Sequence, residues 1–192
     1  MRKISLLIIW LGFIFYSLFL APDGNGEYFS DLMTMNDPDP GLLAMFSLLG
    51  VFPVVFAILL LQDDRGSVPA WPFVLGSFAF GAFSLLPYFI LNSNMARSNR
   101  TPDKVAQFLQ SKGLLVVLIL LTLFLFGYGI LAGEPDVYKT AFGESNFVHV
   151  MTIDFVVLTM LSVIALYDRN HRNAFVGLIP IIGSLLIVMK RK

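Results

Sequence analysis

The sequence predicts an all-α fold, a polytopic helical membrane protein of about six spans arranged as a 3+3 internal repeat. Three observations carry that prediction. Of 192 residues, 57% are hydrophobic and only 14% are charged, whereas a soluble domain carries about 25% charged residues. The mean hydropathy is +0.78, and 19 phenylalanines add apolar area without a polar handle. The apolar residues also fall into long runs that charged residues almost never interrupt.

A helix needs about 20 apolar residues to cross the hydrocarbon core. Six segments approach that length: 4–20, 42–61, 70–91, 113–132, 147–166 and 174–189. No Lys, Arg, Glu or Asp breaks any of them except Asp154 in the fifth. The first follows Met1, Arg2 and Lys3 and resembles a signal peptide in outline. Cleavage after Ala21 would put Phe19 where a small residue is required, so an uncleaved signal anchor is expected.

Between the runs lie polar stretches. Residues 21–41 hold Asp23, Glu27, Asp31, Asp37 and Asp39 with no Lys or Arg, and Pro38 and Pro40 are expected to keep this stretch from being helical. Residues 62–69 and 167–173 read as short turns. Residues 92–112 are basic, with Pro102, Asp103 and Lys104 placed to open a short interfacial helix over 105–111. Residues 133–146 are mostly polar. Pro53, Pro72, Pro87 and Pro180 fall inside apolar segments and are expected to kink membrane helices, with local unwinding at a substrate site as the alternative.

The two halves share this order. The second span ends in Leu61, Gln62, Asp63, Asp64 and Arg65, and the fifth in Leu166, Tyr167, Asp168 and Arg169. The closing segments share Leu75, Gly76, Ser77 and Phe78 with Ile182, Gly183, Ser184 and Leu185. Residues 1–92 and 113–192 are therefore read as two three-span repeats joined by a basic linker, 93–112. Three crossings per half would invert one repeat relative to the other.

Charge does not favour six crossings. With the N-terminus inside, seven basic residues fall on one side and six on the other. If the third and sixth segments are re-entrant, every basic residue but Lys139 falls on one side, twelve against one, the asymmetry the positive-inside rule expects. Length favours six crossings and charge favours four; six is the primary expectation.

Asp154 is the most informative residue. It is the eighth of its apolar segment, about 10 Å from the segment's start at the helical rise. A carboxylate near the bilayer centre costs on the order of 2.5–3.5 kcal/mol, so it should face the bundle interior. It either serves a proton or cation relay or a ligand, or it makes an interhelical hydrogen bond. His149, five residues earlier, points about 140° away and is expected to sit at the interface against headgroups or the 133–146 loop. Thr152, Thr159 and Ser162 form a hydroxyl stripe suited to helix packing, with Thr152 a weaker functional candidate beside His149. Ser77 and Gly81 have the spacing of a close helix–helix contact.

Several chemistries are excluded. Net charge is zero, so nothing marks a nucleic-acid partner. Cysteine is absent, which removes disulfides and thiolate ligands. The only histidines are His149 and His171, with no histidine-pair metal motif, phosphate-binding glycine loop or nucleophile elbow. Residues 23–27 outline a calcium loop, but Tyr28 and Thr34 replace its required glycine and bidentate glutamate. No cofactor is expected. The expected partners are the lipid bilayer and other membrane-protein helices or a second copy of the chain.

Three stretches carry a family resemblance: Asp37 to Ala44 (Asp-Pro-Asp-Pro-Gly-Leu-Leu-Ala), Val68 to Phe73 (Val-Pro-Ala-Trp-Pro-Phe) and Leu85 to Tyr88 (Leu-Leu-Pro-Tyr). With them the chain resembles an uncharacterised multi-pass membrane protein family of cyanobacteria and chloroplasts. Each half also resembles a small three-span bacterial membrane family of unknown function. The resemblance implies a thylakoid or bacterial inner membrane and supplies no catalytic residue. The leading functional expectation is a non-enzymatic accessory or assembly factor that binds partner helices, lipids or pigments. The alternatives are a small proton- or cation-coupled transporter using Asp154 and a membrane enzyme acting on an isoprenoid or lipid.

Overall fold

A computed structural model of the chain describes residues 2–24, 28–93, 98–169 and 173–190. The described residues are helical with no strand, as the composition requires. The long elements are α1 (Arg2–Phe19), α3 (Pro40–Leu61), α4 (Trp71–Leu91), α6 (Lys112–Ala132) and α8 (Asn146–Asp168). These five are long and apolar enough to cross a membrane. The short ones are α2 (Tyr28–Thr34), α5 (Asp103–Leu109), α7 (Pro135–Glu144), a 3-10 helix (Ala174–Leu178) and α9 (Ile182–Lys190).

Local chemistry sets several boundaries. Asp39 caps α3, its Oδ1 accepting from the Gly41 and Leu42 amides at 2.8 and 3.1 Å. Pro40 occupies the first turn of α3, where its missing N–H costs nothing. Ser111 and Ser145 cap α6 and α8 through the Leu114 and Val148 amides. Pro102 precedes α5 as the sequence suggested. One stretch differs from expectation. Residues 21–41 contain α2, which finishes before Pro38 and Pro40 act on the chain. Residues 133–146 hold α7, opened by Pro135.

The third segment folds back on itself. Gly81 has φ 48° and ψ −127°, and it divides α4 into two halves. A straight helix of this length would separate its ends by about 30 Å. Instead the Ser67 amide donates to the Ser93 carbonyl at 3.0 Å, and the Ser67 hydroxyl donates to the Leu91 carbonyl at 3.0 Å. Ser84, past the break, donates to the Phe73 carbonyl at 2.9 Å. The segment is a hairpin, each half reaching about 15 Å. Its backbone is shielded by α1, α3 and α8, which re-entrant structure in a membrane requires.

The sixth segment also folds back. The 3-10 helix ends at Leu178, Ile181 adopts φ 62°, and α9 then runs back. A Cβ on Gly183 would overlap the Val176 carbonyl, so the two arms pack as closely as glycine allows. Ser162 of α8 donates to the Gly177 carbonyl at 3.1 Å and ties this second hairpin to the bundle.

Contacts at the helix ends bring together segments as four straight long helices and two hairpins would, where about six spans were expected. Arg2 pairs with Asp168, and Lys3 donates to the Ser93 hydroxyl at 2.8 Å. Arg100 pairs with Asp64 at 3.2 Å. Six crossings would place the members of each pair on opposite faces. At the other end, the Glu134 amide donates to Asp39 Oδ2 at 3.0 Å and the Asn146 amide to the Gly24 carbonyl at 2.8 Å. Among the described residues, Lys139 is therefore the basic residue on a face carrying Asp23, Asp31, Asp37, Asp39, Glu134, Asp136 and Glu144. The remaining described basic residues lie at the opposite face. Asn25, Gly26 and Glu27 of the calcium-like stretch, and Arg97, His171, Arg172, Arg191 and Lys192, lie outside the described residues.

Each half thus runs long helix, short helix, long helix and hairpin. With two straight long helices and a hairpin apiece, the two halves run in the same direction. One hydrophobic core, centred on Phe52, Phe56, Leu59 and Leu85, joins both halves.

Candidate functional site

The tip of the first hairpin meets Asp154. The Ala82 amide, the first after the break, donates to Asp154 Oδ1 at 2.8 Å. A helix half that begins at Ala82 exposes amides without intrahelical partners. Asp154 supplies from α8 the capping oxygen that a preceding Ser or Asp would supply in a soluble helix. Its side chain is accordingly buried, 7% exposed. A Cβ on Gly81 would overlap the same carboxylate, so glycine serves both the backbone angle and the approach.

Beside this contact lies a cavity of about 660 Å³. It is bounded by α2, α3, the hairpin tip and α8, and it reaches toward the acidic face at Phe29, Met35 and Asn146. Its walls are largely aromatic: Phe29, Phe46, Phe78, Phe80, Phe83 and Phe147. Phe147 meets Phe29 edge-on with ring centres 4.9 Å apart, and Phe83 stacks on Phe13 of α1 at 4.1 Å. Asp154 is the sole ionisable side chain in the described lining. Gly50 faces open space on the α3 wall, with nothing within 4 Å of where a Cβ would sit.

The other two sequence candidates are placed elsewhere. His149 does not meet Asp154. Its Nδ1 donates to the Phe142 carbonyl of α7 at 2.8 Å, and its ring stacks on Phe142 at 4.1 Å. A carbonyl only accepts, so Nδ1 carries the hydrogen, and in that tautomer Nε2 accepts from the Tyr16 hydroxyl, 2.6 Å away. His149 therefore binds the 133–146 segment, one of the two surroundings expected for it. Thr152 donates to the Val148 carbonyl at 2.8 Å and accepts from the Tyr138 hydroxyl at 2.7 Å. Burial pushes the Tyr138 phenol above its ordinary range, and the Thr152 bond opposes that shift. Both residues clamp α7 onto α8. Thr159 and Ser162 bond to carbonyls within α8, and Ser162 also holds the second hairpin, which is packing rather than a polar path.

Sequence reasoning missed the partner of Asp154, because that partner is a main-chain amide. A glycine between Pro72 and Pro87 in an apolar run was the available signal. It was read as a packing notch, whereas the φ of 48° makes it a turn. Asp64 was also missed. It is 2% exposed and accepts from the Ala70 amide at 3.1 Å and from Arg100, anchoring the start of the first hairpin.

Fold and site together define an all-α protein with five helices long and apolar enough to cross a membrane, one of them bent into a hairpin whose tip meets a buried carboxylate. Comparison with protein-family models, curated proteins and solved structures finds no match to this chain.

Proposed function

We propose that the chain is a non-enzymatic accessory protein of the membrane that holds a hydrophobic small molecule, of lipid or pigment class, in the cavity beside Asp154. The observation that carries this reading is the cavity itself: about 660 Å³ of largely aromatic wall with one carboxylate. Such composition and size suit ligand pockets, which are mainly apolar with few polar groups. General acid–base or nucleophilic catalysis needs a second convergent group, and the described lining offers Asp154 alone. The resemblance to proteins of cyanobacteria and chloroplasts makes a thylakoid the first membrane to examine. Helices α1 and α6, 11% and 17% buried, leave wide faces for lipid or for partner helices.

The experiment is native mass spectrometry of the full chain from mild detergent, with Gly50→Leu as the control. Leucine enters open space and favours the helix, so the variant should fold yet lose the retained molecule. Wild-type protein released without any bound mass, and indistinguishable from the variant, would remove the reading.

One observation favours a second reading. Discontinuous helices that meet an ionisable side chain at mid-membrane recur in transporters, and the break at Gly81 lies against Asp154. A proton- or cation-coupled transporter predicts that Asp154→Asn abolishes flux in reconstituted vesicles while the protein still folds. Unchanged flux rejects it.

A further inference from the structure

We propose that the ligand of this cavity is a lipophilic organic cation, an ammonium- or phosphonium-type charge within an apolar body, held by Asp154 Oδ2 and the surrounding phenylalanine faces. The proposal rests on the cavity reading above and specifies its ligand.

The lining is one-sided in charge. Asp154 presents two oxygens, and Oδ1 is occupied by the Ala82 amide. Among the described hydrogen bonds Oδ2 accepts none, although the side chain is only 7% exposed and borders the cavity. A carboxylate in a low-dielectric wall attracts positive charge strongly. No Lys, Arg or His lines the cavity among the described residues. Its neutral donors are partly committed, since Ser77 donates to the Val74 carbonyl and Asn146 to the Ser17 carbonyl. An anionic head would find no positive partner there.

The walls act in the same direction. Aromatic faces attract cations through the ring quadrupole, most strongly where water is excluded. Six phenylalanines line the space, Phe29, Phe46, Phe78, Phe80, Phe83 and Phe147, with no tyrosine or tryptophan donor among the described lining. The half of α4 before Gly81 ends at this cavity, turning the negative end of its dipole toward the space. The positive end of the next half opposes it and is met by Asp154 Oδ1.

The approach is also acidic. The cavity reaches the face that bears Asp23, Asp31, Asp37, Asp39, Glu134, Asp136 and Glu144 against Lys139. A field of one sign around a cleft raises the local concentration of the opposite ion. A bare metal ion suits the space poorly, because no group of three or more His, Cys, Asp or Glu gathers among the described residues. The walls instead call for an apolar body around the charge.

The test uses the full chain in an uncharged detergent and two radiolabelled probes of the same shape and opposite charge, tetraphenylphosphonium and tetraphenylborate. The phosphonium should bind saturably, and the borate about tenfold more weakly or worse. Asp154→Asn keeps an oxygen for the Ala82 amide but removes the charge. It should weaken phosphonium binding about tenfold with the melting temperature held. Borate binding equal to or tighter than phosphonium overturns the proposal, and so does unchanged phosphonium affinity in a folded Asp154→Asn protein. The wild-type probe pair decides the matter if that variant fails to fold. A neutral molecule retained in native mass spectrometry and not displaced by phosphonium overturns the cationic ligand while leaving the cavity reading intact. Loss of both readings requires that neither probe nor membrane-derived molecule binds and that Gly50→Leu changes nothing.

Discussion

The Asp154 carboxylate on α8 accepts the Ala82 amide at 2.8 Å and so caps a helix half that begins 72 residues earlier in the chain. Asn can accept the same bond, whereas Ala leaves a buried amide unsatisfied at a cost of about 1–3 kcal/mol. Asp154→Ala should therefore lower the thermal midpoint in detergent measurably, and Asp154→Asn should lower it far less. Equal loss in both would mean that the charge, rather than the cap, stabilises the tip.

Gly81→Ala should be more damaging than its size suggests. It places a Cβ at φ 48° and into the Asp154 carboxylate. Backbone strain and overpacking of this kind each cost about 1–3 kcal/mol. The expected result is a sharp fall in folded yield and thermal midpoint. An unperturbed Gly81→Ala protein would show that the hairpin tip relaxes freely.

The pairing of the helix ends makes a topological prediction. The natural sequence has no cysteine, so single substitutions report cleanly. Lys104→Cys and Tyr167→Cys should react with an impermeant thiol reagent from one side of sealed vesicles. Asp37→Cys and Asp136→Cys should react from the other. Six full crossings would put Lys104 and Asp37 on the same side.

At the basic face, Asp64 is 2% exposed and is held by Arg100 and by the Ala70 amide. Arg100→Ala removes the cation and leaves the carboxylate buried, a change that costs about 3–5 kcal/mol in such pairs. Arg100 also donates to the Gly66 carbonyl at 2.7 Å, so the loop before the first hairpin should loosen as well. Faster proteolysis or hydrogen exchange across residues 62–70 and a lowered thermal midpoint are expected. Replacing Asp64 and Arg100 together by an apolar pair should recover part of the loss.

Much of the fold was legible because burial in lipid leaves a strong mark on composition. Runs such as 42–61 and 113–132 needed only length and the absence of charge to be recognised as α3 and α6. The distribution of Lys and Arg agrees with the two hairpins, since charge resists transfer across a bilayer regardless of how the helices pack. Length does not separate a hairpin from a straight helix, because both need a similar number of apolar residues. Asp154 stood out for the same reason that α3 did, a carboxylate being costly in oil.

The sequence by itself determined that this chain is helical, apolar and carries a carboxylate within an apolar run, because those properties follow from side-chain solvation one residue at a time. The tertiary structure decided that residues 70–91 turn back at Gly81, that Asp154 meets Ala82, and that six phenylalanines from four elements enclose a cavity. Those outcomes depend on which backbone amides lose their helical partners and which distant side chain reaches them. Such pairing is set by the packing of several helices at once and leaves no periodic trace along any one of them.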